Sequence, residues 1–292
     1  VMDENYTVID EVGGILGEGF SNEFEKTPLD AHESIYLGDG HYIVIAYQGK
    51  RVNNIPDSVP HSKFGTRVVA CIIQEIKGGE LVWQWDSTEY PELYEMSVEG
   101  NDYFNQKLKW SDYAHLNSVF IDSDDNLITS FRNLNTVLKI NRKTGEILWV
   151  LGGKGDQFGL KDNQKFARQH FAVRSKDGNI QIFNNGNIYP GVGWPIDTTP
   201  ADQKEEEISS IIEIKLDEAK KTLLAYNSYQ FDKRFAPYMG SAQETDSETY
   251  FICWGSATSG GALLNEINFR TNDVLFEVVL NSDVVSYRGH KF

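Results

Sequence analysis

The fold is best recognised from one stretch of the sequence, Asp112-Tyr-Ala-His115-Leu-Asn-Ser-Val-Phe-Ile-Asp-Ser-Asp124-Asp-Asn-Leu-Ile-Thr-Ser-Phe-Arg132. It holds two short apolar runs on either side of an Asp-rich turn, the pattern of a β-hairpin. Similar segments that join two strands around an Asp turn occur three more times. They are His32–Tyr47, His170–Asn185 and Met239–Trp254. Four copies of one unit predict a repeat architecture.

A second hairpin follows each copy, and its second strand carries aromatic or apolar residues. These hairpins are Val69–Trp85, Thr136–Trp149, Ser210–Tyr226 and Leu263–Val278. Two hairpins form a four-stranded antiparallel sheet, which is the blade of a β-propeller. The sequence therefore predicts an all-β chain, with residues 1–292 forming a single β-propeller domain of four full blades.

A fifth hairpin over Tyr6–Leu16 predicts a partial blade at the N-terminus. Residues 284–292 would complete that blade, or N-terminal blades would be missing from this sequence; we favour the second alternative. The turn aspartates lie farther apart than bare blades of roughly 40–50 residues allow. We therefore expect insertions, which are often functional when they are long. The predicted insertions are 48–65, 87–112, 152–168 and 187–207.

The charge of the chain excludes several classes of partner. The sequence has 27 Lys and Arg against 43 Asp and Glu, a formal net charge of −16. Such a surface repels nucleic acid and anionic lipid, and no apolar run reaches the ~20 residues that span a bilayer.

The start, Val1–Asn5, lacks the features of a signal peptide, so we expect any such peptide to have been removed. Cys71 and Cys253 lie too far apart in sequence for a CxxC metal motif, and two cysteines make no disulfide framework.

Three histidines occupy the same phase of three successive repeats. His32, His115 and His170 precede their turn aspartates by 7, 9 and 7 residues, at the start of the first, innermost strand. A lone histidine there is usually structural, but three in register favour a shared site on the propeller axis. Arg132 ends the second strand of its repeat, where we expect it to reach the same site. Tyr47, Asn185 and Trp254 are its equivalents.

Three chemistries are open to such a site. Three neutral imidazoles bind zinc or copper with an open coordination position, although the fixed cation of Arg132 would oppose a metal ion. Together with Asn117, histidine and arginine side chains make a cradle for an oxyanion. A histidine also serves as a covalent nucleophile. A propeller that binds a ligand or protein partner through its loops, without catalysis, is the alternative.

Several motifs resemble the aryl sulfotransferase (arylsulfate sulfotransferase) family. The resemblance runs from about residue 8 to the C-terminus and is densest between residues 110 and 186. The motifs are Ala31-His32-Glu33, His115-Leu-Asn117-Ser118, Ser130-Phe-Arg132-Asn133, Trp149-Val-Leu-Gly-Gly153, Gln169-His170 and Tyr287-Arg288. The resemblance implies a six-bladed propeller. It also implies transfer of a sulfuryl group from a phenolic sulfate ester to a phenol, without a nucleotide sulfate donor, through a sulfo-histidine.

The resemblance also assigns roles, and it implies no cofactor and no metal. His170 would be the nucleophile, His115, Asn117 and Arg132 would hold the sulfuryl oxygens, and His32 would complete the cradle or exchange the phenolic proton.

The predicted substrate-binding residues are Asn117, Tyr47, Asn185, Trp194 and Tyr238. Because relatives are mostly exported, an extracytoplasmic (periplasmic or secreted) location is expected. The chain departs from its relatives in having Phe171-Ala172 after His170, where an acidic residue is frequent, and in having no close cysteine pair.

Overall fold

The computed structural model describes residues 7–17, 29–187, 207–256, 263–281 and 284–291. Sixteen strands occur in these residues, and they form four separate four-stranded sheets. The strand order in each sheet follows the chain. The predicted all-β fold with four-stranded antiparallel blades is therefore confirmed.

Each sheet coincides with one predicted pair of hairpins. The first is β1 (Ser34–Gly38), β2 (His41–Val52), β3 (Thr66–Lys77) and β4 (Glu80–Asp86), and the second is β5 (Leu116–Ile121), β6 (Leu127–Phe131), β7 (Thr136–Ile140) and β8 (Ile147–Leu151). The third is β9 (His170–Arg174), β10 (Ile180–Asn184), β11 (Ser210–Asp217) and β12 (Thr222–Tyr229), and the fourth is β13 (Ser241–Asp246), β14 (Thr249–Cys253), β15 (Leu263–Asn268) and β16 (Asp273–Val279). The described residues add one helix, α1 (Glu92–Met96), and three 3₁₀ turns: Ser87–Glu89, Arg132–Leu134 and Asp162–Gln164.

The predicted N-terminal hairpin is wrong for the residues that the structure describes. Residues 7–17 form no strand, and only Val8 makes a β-bridge. The segment instead runs along the first sheet, where Nε2 of Gln74 donates a 2.5 Å hydrogen bond to the Ile15 carbonyl. Val12 and Ile15 pack on buried Tyr42 and Val44. The alternating apolar residues of the segment serve as anchors to an existing sheet rather than as a new hairpin.

The chain divides into two compact units, residues 1–116 and 117–292. The first unit holds the sheet β1–β4, whose long central strands β2 and β3 pair over twelve residues. The insertion between β4 and β5 contains α1 and a cage of buried tyrosines. Tyr94 lies 4.5 Å from Tyr113 between ring centroids. The prediction of a single domain over residues 1–292 stays a prediction.

The second unit contains three sheets that pack on one another. One apolar cluster joins the sheet β5–β8 to the sheet β9–β12 and includes Val137, Trp149, Ile182 and Ile212. Another joins β9–β12 to β13–β16 around Trp254. Face-to-face packing of successive four-stranded sheets is the packing of propeller blades.

The C-terminal segment lies along β13. The Gly240 N–H donates to the Tyr287 carbonyl at 3.1 Å, and Gln243 exchanges two hydrogen bonds with the backbone of Lys291. The alternative in which residues 284–292 complete an N-terminal blade is therefore wrong for the described part of that segment. No described helix combines the length and apolar character that a membrane span requires.

Candidate active site

His32 lies in the first unit, just before β1, and its ring is held by a carboxylate. The Nδ1 atom of His32 is in hydrogen-bond contact with Oδ1 of Asp30. The same oxygen accepts the backbone N–H of His32 at 2.8 Å. Both side chains are largely buried, with exposed fractions of 21% and 10%. This arrangement directs the Nε2 edge of the ring away from the carboxylate.

His115 has a matching carboxylate partner. Its Nδ1 lies 2.6 Å from Oδ2 of Asp112, and its backbone adopts the left-handed conformation, φ +55°. The insertion before β5 positions this pair. Within it, the Tyr113 hydroxyl donates to Oγ of Ser87 at 2.8 Å, and Ser97 Oγ donates to the Tyr113 carbonyl at 2.8 Å. The sequence patterns gave no signal for Asp30 or Asp112, because a carboxylate two or three residues from a histidine is common in turns.

The rings of His32, His115 and Tyr47 form one cluster in the first unit. The imidazole centroids of His32 and His115 are 5.1 Å apart, edge to face. The Tyr47 centroid lies 5.5 Å from that of His32 and 5.6 Å from that of His115. Tyr47 is 5% exposed, and its hydroxyl donates to the Leu116 carbonyl at 2.6 Å. The in-register placement of two of the three histidines is thus matched by contact between their rings.

His170 lies in the second unit, at the first residue of β9. It is 3% exposed, and it sits next to a bulge, since Phe183 pairs with His170 and Ile182 with Ala172. Phe171 is the extra residue and has φ +50°, while Arg168, two residues before His170, has φ +52°. Bulges re-aim side chains, and left-handed non-glycine residues cluster at functional sites. The bulge therefore sets the direction of the His170 ring.

Asn185 fixes the tautomer of His170. The Nδ2 atom of Asn185 donates to the carbonyls of Ala236 at 2.7 Å and Met239 at 2.9 Å. Its Oδ1 atom must therefore be the one that lies 2.8 Å from Nδ1 of His170. The Arg168 carbonyl is a second acceptor for Nδ1, at 3.1 Å. With the proton on Nδ1, the lone pair is on Nε2, where it accepts the Met239 N–H at 3.3 Å.

Asn117 and Gln169 join β5 and the third sheet next to His170. Asn117 is fully buried, and its Nδ2 donates to the Gln169 carbonyl at 2.8 Å. Nε2 of Gln169 reaches back to the second sheet, with donation to Oγ of Ser130 at 3.1 Å and to the Thr136 carbonyl at 3.0 Å. One amide hydrogen of Asn117, the predicted ligand of sulfuryl oxygens, is thus used inside the protein.

Arg132 begins the 3₁₀ turn after β6, as its place at the end of the second strand predicts. Its Nη1 donates to Oδ1 of Asn133 at 2.6 Å, and its side chain is partly exposed. Near His170 the structure also places Tyr287 and Arg288, to which the sequence analysis gave no role. The Tyr287 ring lies 6.2 Å from that of His170 between centroids.

The remaining predicted binding residues have different outcomes. Tyr238 lies beside Met239 with 49% of its surface exposed, and its backbone exchanges hydrogen bonds with Ser256. Trp194 lies outside the described residues. Among the residues that the structure describes, no three His, Cys, Asp or Glu side chains converge in a geometry that could hold a metal ion.

Comparison with protein families decides the relationship. The family model described as Arylsulfotransferase (ASST) matches residues 3–288. The chain belongs to this family. The comparison with curated proteins found no match.

The chain also shows weak likeness to solved structures. A protein of unknown function from Bacteroides caccae has 15% identity and a TM-score of 0.36, over 84% of this chain and 72% of that one. The Dos1 propeller has 11% identity and a TM-score of 0.30, over 75% and 46%. A europium-containing methanol dehydrogenase has 11% identity and a TM-score of 0.39, over 91% and 49%. The chain thus spans about half the length of the last two proteins.

The family motifs of the chain hold the blades of the second unit together. In the Trp-x-Leu-Gly-Gly motif, a side chain on Gly152 would collide with the Phe166 ring, and one on Gly153 with the Leu134 carbonyl. In the His-x-Asn-Ser motif, Ser118 Oγ accepts the Ala172 N–H at 3.1 Å. The Gln169-His170 motif links the nucleophile candidate to the second sheet, because Nε2 of Gln169 donates to Ser130 and Thr136.

Proposed function

We propose that this protein moves a sulfuryl group from a phenolic sulfate ester to a phenol through a covalent adduct on His170. The observation that carries the proposal is the pair of hydrogen bonds that Nδ2 of Asn185 donates to the carbonyls of Ala236 and Met239. They fix the amide orientation, which places the His170 proton on Nδ1 and the lone pair on Nε2. An imidazole nucleophile needs this division, because a proton on the attacking nitrogen would remove its lone pair.

The reaction divides into two displacements at sulfur. In the first, Nε2 of His170 attacks the sulfur of the donor ester, an S–N bond forms, and the S–O bond to the aryl group breaks. The departing phenolate takes up a proton. In the second, the oxygen of the acceptor phenol attacks the sulfur and loses its proton, while the S–N bond breaks and its electron pair returns to Nε2. The two steps balance in protons.

We assign charge stabilisation to Asn185, which contacts the ring, and to Arg132 and Asn117. Sulfation of Nε2 leaves the imidazole ring positively charged, and Oδ1 of Asn185 faces the Nδ1 proton of that ring. We assign Arg132 to the sulfuryl oxygens, because a guanidinium donates several N–H groups in a fixed plane to an oxyanion. We assign Asn117 to the sulfuryl oxygens as well, on the basis of family membership. The Gln169 carbonyl accepts one of its two amide hydrogens, and the other would donate to a sulfuryl oxygen.

For His32 and His115 the support is family membership and the carboxylates on Nδ1. A carboxylate at Nδ1 holds an imidazole in one tautomer and stabilises its protonated form. Such a group can give a proton to a leaving phenolate and take one from a phenol. We therefore keep His115 as a ligand of the sulfuryl oxygens and assign the phenolic proton to His32. An extracytoplasmic location remains a proposal that rests on the family alone.

Mass spectrometry tests the nucleophile directly. The protein is mixed with 4-nitrophenyl sulfate, quenched at alkaline pH, digested and searched for a sulfuryl adduct. We expect the adduct on the peptide that contains His170, together with release of 4-nitrophenol. Both should disappear in His170→Gln and persist in His41→Gln, whose histidine pairs with Glu75 at 2.7 Å elsewhere in the molecule. Nitrophenol release by His170→Gln at the wild-type rate would contradict the proposal.

One observation favours a second candidate, a propeller that binds a ligand without catalysis. His170 is buried, and each ring nitrogen has a hydrogen-bond partner, as in a purely structural histidine. The two candidates differ in whether Nε2 can leave the Met239 N–H, which lies at the long distance of 3.3 Å. Binding of an aryl sulfate without phenol release and without an adduct would identify the second candidate.

A further inference from the structure

The last described residues of the chain contact several backbone segments that border His170. Arg288 donates through Nη2 to the Asn117 carbonyl at 3.0 Å, and the Tyr287 hydroxyl donates to the same carbonyl at 3.1 Å. Asn117 in turn donates to the carbonyl of Gln169, the residue before His170, at 2.8 Å. One side of His170 is thus tied to the C-terminal dipeptide through a single intermediate residue.

Phe171, the residue after His170, is in direct contact with the dipeptide. The Arg288 guanidinium lies over the ring of Phe171, 5.2 Å from its centroid, and over the Tyr287 ring at the same distance. A cation that lies over two aromatic rings gains cation–π attraction from each of them. Phe171 is the residue in the bulge with φ +50°. Arg288 therefore packs on the residue whose backbone conformation directs the His170 ring.

The backbone of Tyr287 is also hydrogen-bonded to the segment that faces Nε2 of His170. Its carbonyl accepts the Gly240 N–H at 3.1 Å. Gly240 has φ +108°, and a side chain there would collide with the Phe183 ring, so this peptide has little freedom. The preceding residue, Met239, supplies the N–H that meets Nε2 of His170. The tyrosine ring itself lies edge to face with the imidazole.

We propose that Tyr287 and Arg288 are positioning residues that hold the His170 imidazole in the orientation and tautomer needed for sulfuryl transfer. This inference rests on the proposed function for its kinetic consequence. The structural consequence does not depend on it. Removal of these side chains takes away their contacts with Asn117 and Phe171, so the His170 ring no longer keeps Nδ1 on Asn185 and Nε2 on the Met239 N–H.

Two variants and one control separate this role from general stabilisation. Tyr287→Phe removes one hydroxyl, and Arg288→Lys keeps the charge but loses the planar fork and the stacking. Lys291→Met cuts the other end of the segment, where Nζ lies 2.7 and 2.6 Å from the two oxygens of Glu266. All three are first checked for folding by circular dichroism and thermal unfolding.

The decisive readout is the ¹⁵N spectrum of the histidine rings, with His170 assigned from its loss in His170→Gln. We expect one tautomer, protonated at Nδ1, in the wild type and in Lys291→Met, and averaged ring signals in Arg288→Lys. Tyr287→Phe should change less. In turnover, Arg288→Lys should lower kcat by about 10- to 100-fold, as a small misplacement of a reacting group does, while KM changes little.

The outcomes distinguish the two proposals. Wild-type ¹⁵N signals in folded Arg288→Lys and Tyr287→Phe would overturn the positioning role. If the wild type transfers no sulfuryl group but the ring signals change in these variants, the proposed function fails and the positioning role stands. If the wild type is active and the variants keep both its kcat and its ring signals, only the positioning role fails.

Discussion

At the scale of single residues, Asn185 is the side chain that orients the His170 imidazole through Nδ1. The sequence analysis placed it near the site from its phase in the repeat, as a substrate ligand. In the structure its amide is used up inside the protein, with Nδ2 on two carbonyls and Oδ1 on the imidazole. The contacts therefore favour a role for Asn185 in the orientation of His170, while direct substrate binding stays a prediction.

Substitution of Asn185 tests this role. Asn185→Leu removes the closer of the two acceptors for Nδ1 and leaves the carbonyls of Ala236 and Met239 without that donor, at a cost of about 1–3 kcal/mol in the free energy of unfolding. We also expect kcat to fall by about 10-fold or more, because the Arg168 carbonyl alone, at 3.1 Å, holds the ring less firmly. Asn265→Leu is the matched control, since Asn265 is fully buried and accepts the Trp254 indole N–H at 3.0 Å. A similar loss of kcat in both variants would mean that Asn185 acts only through stability.

At the scale of strands and turns, a group of charges joins the second and third sheets. Nζ of Lys139, on β7, lies 2.8 Å from Asp122 and 2.9 Å from Glu218. Arg174, on β9, contacts the same two carboxylates, and the Trp149 indole donates to Glu218 at 3.0 Å. Burial opposes ionisation of Asp122 and Glu218, but the hydrogen bonds from Lys139 and Arg174 outweigh it, so the pKa of each carboxyl is lowered.

This charge group predicts a pH dependence of stability. A lowered carboxyl pKa stabilises the fold above the pKa in the unfolded chain, about 4.3 for glutamate, and that stabilisation is lost as pH falls toward the lower folded value. Glu218→Gln should therefore reduce the free energy of unfolding by about 1–2 kcal/mol at pH 7, a value kept small because Glu218 is partly exposed. In urea titrations the difference from the wild type should shrink between pH 5 and pH 3 (roughly the range around the unfolded pKa).

The control is an exposed pair of the same kind. Asp162 and Lys165 are 2.7 Å apart, but their side chains are 98% and 61% exposed. Because solvent screens such a pair, Asp162→Asn should leave the urea midpoint unchanged at both pH values. A Glu218→Gln difference that grows as the pH falls would contradict the assignment.

At this scale the sequence predicted the blades well and their connections poorly. Period-two alternation and the Asp turns located β5, β6, β9 and β10, because each hairpin is determined by residues next to one another in the chain. The contacts of Asp112 with His115 and of Arg288 with Asn117 depend on an insertion and on a distant segment. No local pattern specifies them. The N-terminal segment failed for a related reason, since its apolar alternation fits a strand and also fits an anchor on an existing sheet.

At the scale of the whole molecule, the net charge of −16 opposes the proposed substrate. An aryl sulfate is an anion, so the overall field lowers its rate of encounter, while Arg132, the residue assigned to the sulfuryl oxygens, attracts it only at short range. Salt screens charges over about 10 Å at 0.1 M ionic strength, which weakens the long-range repulsion more than the short-range attraction. The anionic donor should therefore be captured more efficiently as salt is added.

Steady-state kinetics at 0.01 and 0.15 M ionic strength measure this effect. We expect kcat/KM for 4-nitrophenyl sulfate to rise by roughly twofold or more with salt, while kcat stays constant because chemistry on bound substrate does not depend on encounter. The KM of an uncharged phenol acceptor is the internal control and should not change. A fall of kcat/KM with salt would mean that the local field of Arg132 extends beyond the site and dominates the acidic surface.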